Sequence, residues 1–195
     1  QGFPDADGPE WIREAAITAV REGANQYPPG RGIPALRAAV AAHQLRHYGM
    51  TFDPDSEILI TAGATEAIAS AILALAGPGD EVLTIGPFYD SYAAGIAMAG
   101  ATHVTVPLVP GADGFRLDVE ALAERVTERT RLILVNTPHN PTGTVLTRAE
   151  LERVAEAATR VDAIVITDEV YEHLTFDGQV HTPLATLPGM AERTL

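Results

Sequence analysis

The 195-residue chain contains no cysteine. Disulfides, thiolate metal sites and cysteine nucleophiles are therefore excluded together. Lysine is absent too, since all 13 basic residues are arginine, so no side-chain amine is on hand for covalent chemistry with a carbonyl. Positive charge is scarce overall. The formal net charge of -13 works against nucleic acid and anionic membrane surfaces, which both select a basic face. No apolar run reaches the roughly 18 residues of a membrane span, and no basic, apolar leader opens the sequence. Hydrophobic content of 46% against 20% charged describes a soluble globular protein. Its length allows one substantial core, and a cysteine-free composition is compatible with the cytoplasm.

What is present is an alternation of short apolar runs and longer amphipathic stretches, the pattern of an α/β fold with a mostly parallel sheet and helices on both faces. Strands are expected at Glu57–Thr61, Glu81–Ile85, Ala101–Pro107, Arg131–Val135 and Ala163–Thr167. Helices are expected between them at Ala64–Ala76, Ser91–Ala99, Asp118–Thr127 and Thr147–Ala158. Leu132 to Val135 and Ile164 to Ile166 are continuously apolar, as strands covered on both faces should be. Gly77-Pro78-Gly79-Asp80 stops one helix, and Thr147 with Glu150 forms a start signal for another. Ahead of this block, Pro9 opens a helix to about Glu22. A stiff loop at Asn25–Pro34 and a helix from Ala35 to His47 come next. The division implied is an N-terminal segment and loop over 1–34 and a larger α/β domain over 35–195. The chain opens in mid-phrase and ends on "MAERTL", which reads as the start of another strand, so a fragment is expected.

In an open parallel sheet ligands bind at the carboxyl ends of the strands, and the residues there are unusual. "TAGATEAI" puts small residues, Ala64 and Thr65 among them, at a helix start whose free N–H groups can hold an anion; a plain helix start is the ordinary alternative. "GPFYDSY" places Phe88, Tyr89 and Tyr92 near the same rim, where a ring either stacks on a flat ligand or packs in the core. "NTPHNPTG" (Asn136–Gly143) supplies the amides of Asn136 and Asn140 on a backbone stiffened by Pro138 and Pro141. "DEVYEHL" ends a strand on Asp168, a carboxylate whose burial is costly unless a cation meets it. Four such loops converge on one sheet edge.

Other chemistries find less support. His43 and His47 are four apart on a helix, but no glutamate follows His43 as in HExxH, and the pair reads as a solvated face; His139, His173 and His181 show no regular ligand spacing, so no metal is assigned. There is no G-x-S-x-G elbow, and "TAGATEAI" lacks the third glycine of a dinucleotide fingerprint.

The helix start, the aromatic rim, N-x-P-H-N-P-T-G and D-E-V-Y, in this order and over nearly the whole chain, resemble the fold-type I, class I/II aminotransferases that depend on pyridoxal 5'-phosphate. The wording is most similar to the branch holding kynurenine and glutamine transaminases and bacterial N-succinyldiaminopimelate aminotransferases. The resemblance implies that Ala64 and Thr65 bind the cofactor phosphate, Tyr89 stacks on the pyridine ring and Asp168 pairs with the pyridine nitrogen. It implies further that Asn140 and Tyr171 reach the ring's phenolic oxygen with Asn136 in support, and that Gly2 and Asn140 lie by the substrate. Tyr27 would cross a homodimer interface to the partner's phosphate. The substrates implied are an amino acid and a 2-oxo acid. The family's Schiff-base lysine and its small domain have no counterpart in these 195 residues. A noncatalytic sensor module and a carbon–sulfur β-lyase share the fold and are the alternatives.

Overall fold

A computed structural model describes residues 5–112 and 114–195. Among these residues six α-helices and five strands succeed one another: α1 (Glu10–Arg21), α2 (Pro34–Tyr48), α3 (Gly63–Leu75), β1 (Glu81–Gly86), α4 (Asp90–Ala99), β2 (Thr102–Gly111), β3 (Gly114–Leu117), α5 (Val119–Arg125), β4 (Thr130–Asn136), α6 (Arg148–Val161) and β5 (Ile164–Asp168). The strands form one sheet in the order β3-β2-β1-β4-β5. All neighbours are parallel except the β2/β3 hairpin.

Alternation along the strands sorts the core into two layers. Leu83, Ile85, Ile133, Val135 and Val165 pack with Leu122 of α5, Leu151 and Val154 of α6, and Leu184 and Met190 beyond the sheet. Val82, Leu132, Leu134 and Ile166 point the other way, onto Ile68 and Ile72 of α3 and Tyr92 and Ile96 of α4. The sheet is thus sandwiched between helices, and the strands are apolar on both faces because both faces are covered. The observed elements match the expected ones to within a few residues, with two exceptions.

Residues 57–61 do not form a strand. The alternation is real, with Ile58 buried and Leu59 exposed, but both edges of β1 are already occupied by β2 and β4. The segment instead lies along the Asn25–Pro34 loop, with the Ile60 N–H donating to the Arg31 carbonyl at 3.2 Å. Gly32 is required at that crossing: at φ +87° a Cβ there would stand 2.4 Å from Ile60 Cβ. The second exception is β3, whose pairing onto β2 was not expected. "MAERTL" does begin a strand-like pairing, with Thr194 bridged in parallel to Val165 and the Leu195 N–H bonded to the Val165 carbonyl at 2.9 Å.

Candidate functional site

The carboxyl ends of β1, β4 and β5 open into a cleft of about 580 Å³, walled by the starts of α3 and α4 and by the segment after β5. Ala64, Thr65, Tyr89, Asn136, Asn140, Asp168 and Tyr171 all line it. These are seven of the eight cofactor residues expected from the sequence, drawn from four separate segments of the chain. Tyr27, the eighth, is fully exposed and lies outside it. Gly2 lies outside the described residues.

Each wall is built by local chemistry. β4 and β5 run in register, which sets Asn136 opposite Asp168. The buried Asn136 amide uses this: its Nδ2 donates to the Asp168 carbonyl at 2.8 Å, and its Oδ1 accepts from the Asn140 N–H at 2.7 Å. One side chain therefore locks two strand ends and the adjoining loop together. That loop is held further from within, where the His139 N–H reaches the Thr144 carbonyl at 2.8 Å and His139 Nδ1 meets Thr142 Oγ1 at 2.8 Å. Burial lowers the pKa of His139 below the usual imidazole value, so the ring stays neutral and bonds without bringing a charge into the core.

The Asp168 carboxylate is aimed by two donors. The Tyr92 hydroxyl donates to Oδ2 at 2.5 Å, and the Val170 N–H to Oδ1 at 3.3 Å. Burial, and then the adjoining carboxylate, push the Tyr92 phenol well above its ordinary range. It therefore remains a donor at any physiological pH. Tyr92 is buried to 2%; of the two readings open for the aromatic rim, this ring takes the core, while its hydroxyl serves the cleft. The link from Tyr92 to Asp168 spans 76 positions, and no spacing rule could have found it. Tyr89 stays half-buried at the mouth, its ring 6.0 Å from that of Tyr92 and tilted by 74°.

At the opposite wall α3 starts without a side-chain cap. Ala62 holds the N-cap position and has no side-chain oxygen to bond the first turn. Glu66 reaches back to the Ala62 N–H and the Gly63 N–H bonds the Thr61 carbonyl at 2.8 Å, while Ala64 and Thr65 of the same turn line the cleft. An uncapped helix start is a ready anion site. The cleft thus combines a helix start without a side-chain cap, a carboxylate fixed by two donors, and aromatic and amide groups.

These features define the class: an open, doubly covered α/β sheet with a polar ligand cleft at its carboxyl edge. Comparison with known proteins narrows the class to a family. The chain belongs to the class I and II aminotransferases, whose family model matches residues 2–194. It is 58% identical over its whole length to a probable N-succinyldiaminopimelate aminotransferase of Mycobacterium tuberculosis, covering 49% of that protein. It is 45% identical to the methionine aminotransferase of Escherichia coli, covering 50% of it. The solved structure of the N-succinyldiaminopimelate aminotransferase of M. tuberculosis superposes on the whole chain with a TM-score of 0.97, 50% of that structure being covered. The chain spans about half the length of the curated relatives it matches.

Proposed function

We propose that these residues form the cofactor cleft of a pyridoxal-phosphate-dependent aminotransferase, which moves an amino group between an amino acid and a 2-oxo acid. Convergence of seven residues from four segments of the chain on one cleft carries the reading. The donor set fits the cofactor: an uncapped helix start suits its phosphate, and a carboxylate fixed by two donors suits its protonated ring nitrogen. When bound, the cofactor supplies an electron sink for negative charge developing at the substrate α-carbon.

The chain's own residues would divide the work around it. The Ala64 and Thr65 N–H groups and the Thr65 hydroxyl would hold the phosphate. Asp168, kept an acceptor by Tyr92, would hold a proton on the pyridine nitrogen. Tyr89 would cover the ring, and Asn140 and Tyr171 would donate to its phenolic oxygen, with Asn136 fixing the loop that carries Asn140. Gly2 would lie by the substrate carboxylate. Tyr27, fully exposed on its own chain, would serve the partner's phosphate in a homodimer. The exposed Trp11, Ile12, Ile17 and Val20 of α1, a helix with no buried residue, support an interface there. In this division 1–34 is the interface segment and 35–195 the cofactor domain.

Because the chain has no lysine, turnover is proposed for a protein of the relatives' length. The test is to titrate pyridoxal phosphate into that protein and follow the visible absorbance. Amino transfer is then assayed with N-succinyldiaminopimelate and with methionine as donors. Saturable binding that phosphate-free pyridoxal cannot match, together with product 2-oxo acid, is expected. Equal binding of both forms would remove the phosphate assignment. Binding without transfer from any amino donor would favour a sensor module.

A further inference from the structure

A second constellation lies at the end of α2, apart from the cleft. His43 and His47 sit one turn apart on that helix, their ring centroids 4.5 Å apart. Sequence spacing alone leaves them a solvated pair. The fold changes this by bringing His173, 130 positions beyond His43, down from the segment after β5. Its ring lies 5.1 Å from that of His43 and 4.9 Å from that of His47. Each histidine offers one nitrogen, and the three lie within 4.8 Å of one another. The closest approach is 2.9 Å, between His43 Nε2 and His173 Nε2. A carboxylate stands beside them: Glu172 Oε1 is 3.6 Å from His43 Nε2 and 3.8 Å from His173 Nε2.

We propose that His43, His47 and His173, with Glu172 as fourth ligand, form a binding site for a divalent transition-metal ion, zinc in the first instance. Zn–N bonds of about 2.0–2.1 Å in a tetrahedron put ligand nitrogens roughly 3.3–3.4 Å apart, inside the range the three imidazoles already span. The side chains are partly or well exposed, so small rotamer adjustments close the geometry without disturbing the core. Imidazole and carboxylate without sulfur match zinc and its first-row neighbours; magnesium and calcium would want more oxygen. Two ligands per element is also the arrangement that gives a metal something to do. The ion would tie α2 to the turn directly after Tyr171, a residue of the cleft wall, and so brace that wall from outside.

The experiment uses the full protein, freed of any affinity tag and stripped with chelator. Zinc chloride alone is titrated in, by calorimetry and in competition with a chromophoric chelator. One equivalent should bind, and His43→Ala and His173→Gln should each weaken it by about 100-fold, the scale on which losing a metal-site partner is felt. His103→Ala, at a histidine remote from the cluster and bonded to Thr84, should bind zinc as the parent does. His173 is 55% exposed, so its replacement leaves the fold intact, which circular dichroism checks. The proposal is overturned by a parent protein that takes up no equivalent at tens of micromolar zinc. It is equally overturned by one equivalent that both variants bind unchanged. Neither outcome depends on the cofactor reading of the cleft.

Discussion

Two helices, α3 and α6, both start at the carboxyl edge of the sheet, and they start in opposite ways. At α6 the Thr147 hydroxyl accepts from the Glu150 N–H at 3.3 Å, while Glu150 Oε2 takes the Thr147 N–H at 2.8 Å. Glu150 Oε1 is used as well, accepting from the Leu117 N–H at 2.7 Å. That start borders the larger cavity, about 1140 Å³ between the β2/β3 hairpin and residues 142–147. At α3 the N-cap is Ala62, no side chain caps the turn, and the cavity is about half the size. The smaller cavity is nevertheless the one we propose as the site. What marks a ligand cleft is polar capacity left unsatisfied and a charged group held ready, and volume is secondary to both.

The comparison can be broken or sharpened by substitution. The largest effect is expected from Asp168→Ala in a protein of the relatives' length: turnover should fall by a hundredfold or more, in line with the roughly 3–5 kcal/mol lost when one partner of a buried ion pair is removed. Retained turnover would place the ring nitrogen elsewhere. Next, Thr65→Ala should weaken phosphate-cofactor affinity by about tenfold, the worth of one hydrogen bond to a charged group, with little change in melting temperature. Thr147→Ala should do the reverse, leaving affinity alone and removing about 1 kcal/mol of stability by denaturant titration. If the two threonines respond alike, the contrast between the helix starts collapses. Tyr27→Phe should give a smaller, few-fold faster loss of cofactor on dialysis; an unchanged rate argues against its reaching a partner's site.

The smallest effect concerns pH. His139 has a folded pKa lowered from 6.5 by burial, so the unfolded chain binds its proton more readily. The stability this ring contributes is complete above about pH 6.5 and is lost as pH falls below that value toward the folded pKa. A His139→Gln variant should therefore show a flatter stability profile below about pH 6.5 than the parent, measured by urea midpoints.

Much of this was legible in the sequence, because continuous apolar runs announce covered strands and the parallel-sheet rule then points to the residues at their carboxyl ends. Asn136 and Asp168 could be placed on that logic alone. Residues 57–61 misled because alternation reports burial on one side and says nothing of whether a neighbouring strand is free to pair. The four-residue β3 carried too little pattern to compete with a turn, since only Leu117 of it is buried. Tyr92 and His173 were illegible for a deeper reason. Each acts on a partner far away in the chain, Asp168 in one case and α2 in the other, and only the packed fold sets those distances.

The Asn136 side chain has one further consequence. By bonding at once to the Asp168 carbonyl and the Asn140 N–H, it holds two strand ends and the adjoining loop in place in the folded chain, before any ligand is captured. The entropy of ordering them has then already been lost when a ligand arrives. Association should accordingly be governed by diffusional encounter, with a single exponential phase whose rate rises linearly with ligand concentration and no plateau from a slow loop rearrangement.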